Sequence, residues 1–198
     1  GRLAEILAGR RSPLVISYRL NGGHIPRESW IQGREGGGRN LGEACHIYDV
    51  FRFLAGAPAV SLSAHAIDPG SLPLLRNDNF SATLRYGDGS VASLIYTALG
   101  PREGLGKERV EVFCDSEAYL IDDYKRLLRA SDGTTLWRAR DDEPDKGHRE
   151  ELSRFGDALA AAAPAPIPFD EIMETSAVAL RVEELLHDRR GDGDDDVA

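Results

Sequence analysis

Three residues that could move a proton lie close together in the segment 41–54. Glu43, His46 and Asp49 follow one another at intervals of three residues, so on a helix they cover about 120° of one face. The segment is otherwise mostly apolar, which predicts a helix buried on most sides. Charged groups on such a helix must be paired or face a cavity, and a histidine between two carboxylates suits proton transfer. The spacing therefore indicates a general acid–base site.

Each of these residues also has a structural interpretation. Asn40 precedes Glu43 by three residues, as in a capping box that closes a helix N-terminus. Asp49 could form an ion pair with Arg52 or Arg39, and a lone histidine on an apolar helix is more often a hydrogen-bonded core residue. The glycine-rich loop before the helix favours the chemical interpretation of the histidine, because it lets a ligand approach the positive helix end.

A metal site is a further alternative for the same residues. Glu43, His46 and Asp49 could act as ligands together with His24 or His65. One straight helix rarely supplies three ligands, and the patterns H-x-x-x-H and H-E-x-x-H are absent from the sequence. We therefore predict no metal site, and a metal-dependent hydrolase or isomerase stays as a less favoured function.

The elements that position these residues are predicted from hydrophobic periodicity, which is two in strands and about 3.6 in helices. Strands are predicted over 14–20, 60–67, 80–86, 91–98, 109–114, 118–122, 125–130 and 134–138. Helices are predicted over 3–11, 41–54, 145–162 and 169–187. This order indicates one α+β domain over 1–190, a largely antiparallel open sheet of six to eight strands with helices on one face. An acidic, disordered tail over 191–198 is expected to follow it.

Several polar residues outside the helix are weaker candidates for function. A long polar loop over 21–39 contains three consecutive glycines, and loops of that length are more often functional than idle. Asn21, His24 and Arg27 could reach the same cavity from this loop. Asp145 is predicted to cap the third helix, and His148 in its first turn could contact an anion.

Two further short patterns near residue 105 have structural interpretations. Lys107 and Glu108 are predicted to form a charge pair on an edge strand. The sequence GLGK at 104–107 resembles half of a phosphate-binding loop, but Pro101 replaces its first glycine and Glu108 replaces its Ser or Thr. A G-x-G-x-x-G pattern is absent from the sequence, so the chain is not expected to bind a dinucleotide by a glycine-rich turn on its own.

Composition excludes several classes of function. Hydrophobic residues make up 41% and charged residues 29% of the 198 residues, with a net charge of −9. This acidic balance argues against binding to nucleic acid or to a membrane surface, both of which require a basic face. No apolar run approaches the roughly 18 residues of a membrane span. Cys45 and Cys114 lack metal-ligand spacing and suit a reducing, cytoplasmic environment.

The segment 36–49 resembles a family signature. Its sequence, GGGRNLGEACHIYD, is similar to the glycine triplet followed by H-x-x-D in the Gfo/Idh/MocA family of nicotinamide-dependent dehydrogenases. Further matches in the same order extend from 14 to 168 and include Asp78-Asn79, Lys107-Glu108 and the DKGH sequence at 145–148. The shared order makes the chain similar to this family over nearly its whole length.

The resemblance implies a two-domain enzyme of which this chain is the C-terminal domain, with a fold like the second domain of glyceraldehyde-3-phosphate dehydrogenase. An N-terminal Rossmann domain, absent from this chain, would bind NAD or NADP and supply a lysine. The open sheet face would form a homodimer or a larger homo-oligomer. The isolated domain is then expected to be inactive.

The resemblance also assigns roles to residues. His46 matches the family histidine in proton transfer at the substrate hydroxyl. Many members carry an aspartate four residues earlier, where this chain has Gly42, so Glu43 is given a supporting catalytic role. The residues expected to contact substrate are Asn21, Arg39, Asn40 and Asp49.

The expected reaction is the oxidation of a secondary alcohol of a sugar, inositol or sugar nucleotide, or the reverse ketone reduction. The alternative from another functional class is a standalone ligand-binding or assembly module without catalysis. The abrupt start of the chain, within what resembles a connecting helix, argues against that alternative.

Overall fold

Alternating apolar and polar residues build an eight-stranded open sheet in the computed structural model, which describes residues 1–101 and 103–187. The strands are β1 (Val15–Asn21), β2 (Ala59–Ala66), β3 (Phe80–Tyr86), β4 (Val91–Thr97), β5 (Glu108–Cys114), β6 (Glu117–Asp122), β7 (Arg126–Arg129) and β8 (Thr135–Arg138). In β3, every second side chain from Phe80 to Tyr86 is buried and those between are exposed, as a half-buried strand requires. All eight predicted strands are confirmed, with their ends shifted by at most one residue.

Strand β1 joins two antiparallel halves of the sheet. The strands lie in the order β2-β3-β4-β1-β5-β6-β7-β8. β1 runs parallel to β4 and antiparallel to β5, and the other neighbours are antiparallel. Gly89, with a φ of +88°, closes the predicted β3–β4 hairpin in a conformation that favours glycine. The expected α+β fold with a largely antiparallel open sheet is confirmed.

Helices pack on the sheet and determine where the polar residues of 41–54 point. They are α1 (Arg2–Leu7), α2 (Cys45–Ala55), α3 (His148–Ala160) and α4 (Phe169–His187). Buried side chains of α1, α2 and α4 form one apolar core with those of the sheet. Within it the rings of Tyr18 and Phe51 meet edge to face, with centroids 6.0 Å apart. This core holds the apolar face of α2 against the sheet and leaves its polar face toward the loop.

Two helices begin differently from their predictions. The helix predicted over 41–54 starts with a π-helical turn, Asn40–Ala44, before α2. The prediction that Asp145 caps the third helix is wrong. Its Oδ1 accepts a hydrogen bond from the Gly147 amide at 3.0 Å, and Gly147 has a φ of +82°. Because that left-handed conformation cannot belong to an α-helix, α3 begins only at His148.

Two other expectations concern the ends of the chain. The helix predicted over 3–11 stops at Leu7, whereas the last predicted helix has its expected bounds. The predicted tail over 191–198 lies outside the described residues. Among the helices that the structure describes, none is both long and apolar enough to cross a lipid bilayer.

Candidate functional site

The π-helical turn before α2 is anchored by Asn40. This side chain is fully buried; its amide donates to the Ala179 carbonyl at 2.9 Å and to Glu183 Oε2 at 2.7 Å. Its Oδ1 accepts the Tyr48 hydroxyl at 2.8 Å. The capping-box interpretation is therefore wrong, because the Asn40 side chain ties the turn to α4 instead of capping a helix. Single π turns within α-helices occur often at functional sites.

Glu43, in this turn, lies at the centre of a polar network. Lys107 Nζ is 2.6 Å from Glu43 Oε1, and the Tyr96 hydroxyl donates to Glu43 Oε2. Arg39 approaches the same oxygen at 3.3 Å and donates to the Tyr96 hydroxyl at 2.5 Å. Burial alone would raise the pKa of Glu43, but the hydrogen bonds from Lys107 and Tyr96 and the nearby cations lower it below its ordinary value. Glu43 is therefore an ionised acceptor.

Gly22 makes room for this network. A Cβ atom at Gly22 would lie 2.1 Å from Arg39 Nη2 and 2.5 Å from the Tyr96 hydroxyl, both closer than atoms can approach. The Gly22 carbonyl accepts a hydrogen bond from Arg39 Nη2 at 2.7 Å. The long loop thus contributes backbone, at a glycine, to hold the Arg39 guanidinium beside Glu43.

His46 and Asp49 follow on α2 without partners. His46 is exposed and Asp49 is half-buried, and neither makes a hydrogen bond or ion pair with any described residue. The core-histidine interpretation is therefore wrong. The predicted ion pair of Asp49 is wrong too, because Arg52 binds Glu174 at 3.0 Å. Burial raises the pKa of Asp49, and the charge of His46 opposes this rise.

A second polar cluster lies on the sheet. Glu108 in β5 is 4% exposed and accepts hydrogen bonds from the Tyr18 hydroxyl and from Lys146 Nζ. The Tyr18 hydroxyl oxygen also lies 3.3 Å from the Tyr124 hydroxyl oxygen. The expected Lys107–Glu108 pair on an edge strand is wrong, because β5 is paired on both sides and the two side chains bind different partners.

Both clusters border one cavity of about 810 Å³. Its charged or titratable lining residues are Tyr18, Arg39, Glu43, His46, Asp49, Glu108, Tyr124, Lys146, His148 and Glu151. Of the six predicted site residues, the cavity is lined by Glu43, His46, Arg39 and Asp49. The structure places Asn21 elsewhere, since it is buried and donates to the Pro101 carbonyl at 2.7 Å; Asn40 is likewise buried away from the lining.

Two of the weaker candidates, His24 and Arg27, line a separate cavity of about 210 Å³ instead. Metal binding receives no geometric support in 1–101 and 103–187, where no group of three or more His, Cys, Asp or Glu side chains is arranged to hold an ion.

A comparison with protein-family models identifies the relatives of this chain. Residues 11–119, more than half of the sequence, match the model described as the GFO/IDH/MocA C-terminal domain. The chain belongs to the GFO/IDH/MocA family. Among curated proteins no significant match was found.

Solved structures share the fold of this GFO/IDH/MocA domain. UDP-N-acetylglucosamine 3-dehydrogenase GnnA from Acidithiobacillus ferrooxidans superposes with a TM-score of 0.70 at 19% identity, over 92% of this chain and 56% of that one. The WlbA dehydrogenase from Bordetella pertussis superposes with a TM-score of 0.69 at 17% identity, over 94% of this chain and 56% of that one. Aldose-aldose oxidoreductase from Caulobacter crescentus superposes with a TM-score of 0.70 at 14% identity, over 93% of this chain and 57% of that one. The chain therefore spans a little over half the length of these structures.

Sequence reasoning missed several cavity residues of this GFO/IDH/MocA domain. Glu108 carries a signal that could have been used: it is in phase with Val110 and Val112, which are fully buried in β5, and a charged residue at an inward position needs a buried partner. Tyr18 is likewise at an inward position of β1. Lys146 follows no periodic pattern, so only the folded chain reveals it.

Proposed function

We propose that this chain is the substrate-binding and proton-transfer domain of an NAD(P)-dependent dehydrogenase. Its substrate would be a secondary alcohol of a sugar, inositol or sugar nucleotide, or the corresponding ketone. The observation that carries the proposal is His46, an exposed imidazole without a protein partner on the wall of a polar cavity. Every carboxylate or cation of the neighbouring Glu43 network is already paired. His148 also lines the cavity, but it begins α3, whereas His46 lies on the helix that directly follows Glu43, so His46 is the histidine that we assign to proton transfer.

The cavity suits a molecule with many hydroxyl groups. Its walls offer donors such as Arg39 and Lys146 and acceptors such as Asp49 and Glu151. A polyol buried there needs a partner for each hydroxyl, since an unpaired buried polar group costs about 1–3 kcal/mol. The names of similar structures, which include a UDP-N-acetylglucosamine dehydrogenase and a levoglucosan dehydrogenase, support a carbohydrate substrate.

In the proposed reaction His46 acts as the general base. The imidazole takes the proton of the reacting hydroxyl, and the half-buried Asp49 lies three residues further along the same helix. Glu43, kept ionised by Lys107 and Tyr96, would support the reaction by holding Arg39 and Lys107 at the cavity. In ketone reduction the imidazolium returns the proton.

The dinucleotide would be held mainly outside the described residues. Among them, β1 and β4 form the only parallel strand pair, and the glycine-rich segment between β1 and α2 is a long loop and not the tight strand-to-helix turn of dinucleotide-binding folds. When bound, NAD or NADP would accept the hydride from the alcohol carbon. Similar structures in complex with NADH support this cofactor class.

Two exposed apolar surfaces fit the remaining partners of the proposal. Helix α3 exposes Leu152, Phe155 and Leu159, a stripe on which a nucleotide-binding domain could pack beside the cavity. On the outer sheet face, Val15 and Phe113 are cross-strand neighbours and both exposed, which suits a homo-oligomer. The free thiols of Cys45 and Cys114 suit a cytoplasmic location.

The test uses the full-length polypeptide that carries this domain. NADH and NADPH formation is followed by absorbance with a panel of aldoses, inositols and sugar nucleotides in neutral and acidic forms. His46→Ala should lower turnover at least about a hundredfold without changing the unfolding midpoint, because His46 is exposed. His65→Ala, which removes an exposed histidine on β2 outside the cavity, is the matched control. Wild-type turnover in His46→Ala, or no nicotinamide reduction with any member of the panel, contradicts the proposal.

A further inference from the structure

We propose that Lys146 is a specificity-determining residue that donates a hydrogen bond to an uncharged hydroxyl of the substrate at the sheet wall of the cavity. The inference rests on the proposed function, since it assumes that the cavity holds a polyhydroxylated molecule. It assigns a role to the cluster of Tyr18, Glu108, Tyr124 and Lys146, which the proton-transfer reaction does not use.

Glu108 holds Lys146 in place. The carboxylate is almost completely buried, and its two oxygens are occupied separately, Oε2 by the Tyr18 hydroxyl and Oε1 by Lys146 Nζ. The Glu108 amide donates to Asp123 Oδ1 at 3.0 Å, which fixes the start of the strand. An unpaired carboxylate would be costly at this depth, so the ammonium is tied to one position.

The ammonium keeps donors for a ligand. A lysine has three N–H donors, and Glu108 is the only hydrogen-bond acceptor of Lys146 among the described residues. The Tyr124 ring, 5.4 Å from Nζ, attracts the charge through its π face and takes no donor. The Lys146 side chain is 39% exposed and lines the cavity. Its remaining donors are therefore available to a bound molecule.

The Tyr124 hydroxyl adds an acceptor at the same place. It lies 3.3 Å from the Tyr18 hydroxyl, whose proton goes to Glu108. Burial raises the pKa of both phenols, so both stay protonated at neutral pH. Because the Tyr18 proton goes to Glu108, Tyr124 donates its own proton to the Tyr18 oxygen, and its hydroxyl oxygen can accept a hydrogen bond from a substrate hydroxyl.

The charge distribution favours a neutral group over an anion. Glu108 cancels the charge of Lys146 at hydrogen-bond distance, and the other carboxylates on the cavity wall include Asp49 and Glu151. A carboxylate or phosphate placed here would meet a neutral pair and further negative charge, whereas a hydroxyl needs only the free donors.

The first test compares Lys146→Met with Lys125→Met in the full-length protein. Methionine keeps the length of the side chain but removes its donors. With the best neutral member of the substrate panel, Lys146→Met should raise KM about 10- to 100-fold and leave kcat nearly unchanged, because the contact is made in the ground state and the transition state alike. Lys125 lies outside the cavity, so Lys125→Met should leave both KM and kcat unchanged. An unchanged KM in Lys146→Met overturns the inference.

A second variant tests the neutral character of the contact. Glu108→Gln preserves the acceptor for Lys146 but removes the charge that cancels it, so the preference for the neutral sugar over its uronic acid should fall about tenfold. If the native protein instead prefers the uronic acid, and Lys146→Met abolishes that preference, Lys146 is an anion site and the inference is wrong.

Equilibrium binding separates this inference from the proposed reaction. In the His46→Ala background, calorimetry with the neutral panel members should detect binding, and adding Lys146→Met should weaken it. That result supports the contact even if nicotinamide reduction is never observed. Equal affinity with and without Lys146→Met, or no binding in the His46→Ala protein, overturns it.

Discussion

Replacing Tyr96 by phenylalanine isolates one hydroxyl of the Glu43 network. The Tyr96 ring is buried and stacks on Phe80 with centroids 5.4 Å apart, and phenylalanine keeps this stacking. What is lost is the acceptor of Arg39 Nε and the donor to Glu43 Oε2. Removing one partner of buried polar groups costs about 1–3 kcal/mol, which lowers the unfolding midpoint by about 2–4 °C per kcal/mol in a chain of this size.

The neighbouring strand supplies a matched control in Tyr86. Its side chain is equally buried, but its hydroxyl has no hydrogen-bond partner among the described residues. Tyr86→Phe therefore leaves no other group without a hydrogen bond, and the unfolding free energy should be unchanged or slightly increased. Urea unfolding of both variants and the native protein at neutral pH measures the contrast. Equal stability of Tyr96→Phe and Tyr86→Phe would refute the view that the network stabilises the fold.

The effect of Tyr96→Phe should also depend on pH. Because the folded-state pKa of Glu43 lies below its ordinary 4.5, its ionised form contributes stability that is present above pH 4.5 and lost as the pH falls through the folded-state pKa. The Tyr96 hydrogen bond is one cause of this lowering. The gap between native protein and variant should thus be widest at neutral pH and shrink on acidification. A gap that grows in acid shows that the hydroxyl acts on something other than ionised Glu43.

Two further substitutions test the residues on either side of this network. Asn40→Ala should cost about 3 kcal/mol of unfolding free energy, since it removes all the hydrogen bonds of a fully buried amide. It also leaves Glu183 and the Tyr48 hydroxyl short of a partner. Denaturant midpoints measure this loss, and a loss below about 0.5 kcal/mol contradicts the prediction. Glu43→Gln should lower the unfolding free energy by only about 1 kcal/mol, because Lys107 is half exposed. It should also lower the turnover of the full-length enzyme, measured at a constant substrate concentration. A loss of stability with unchanged turnover would show that Glu43 is purely structural.

The strands could be predicted because each local pattern agrees with the final sheet. In β3 and β4 the period of two is unbroken, and Gly89 supplies the turn between them. The helix starts could not be predicted in the same way. The π turn depends on contacts between Asn40 and Ala179 on α4, and such a long-range contact leaves no trace in the local period. At Asp145 the sequence offers a good cap, but the φ of Gly147 delays the helix.

The residues of the candidate site also fall into two groups, those that local spacing predicts and those that only tertiary contacts bring together. Glu43, His46 and Asp49 could be found together because one helix carries all three at regular spacing. Lys107 and Lys146 come from distant segments, and the pairing of each with its own carboxylate is decided by the sheet. The interpretation of Glu43 as a helix cap failed for the same reason, since its partners are tertiary.

Register in β5 links the two ends of the cavity. Lys107 and Glu108 are adjacent, yet one binds Glu43 before α2 and the other binds Lys146. The pairing of Leu20 with Glu108 and of Tyr18 with Val110 fixes this arrangement, and a shift of one residue would turn Glu108 away from Tyr18 and Lys146. The sheet register therefore keeps both carboxylates neutralised at once. His46, which lines the same cavity, takes no part in this pairing, so its imidazole stays available to exchange a proton with a bound hydroxyl.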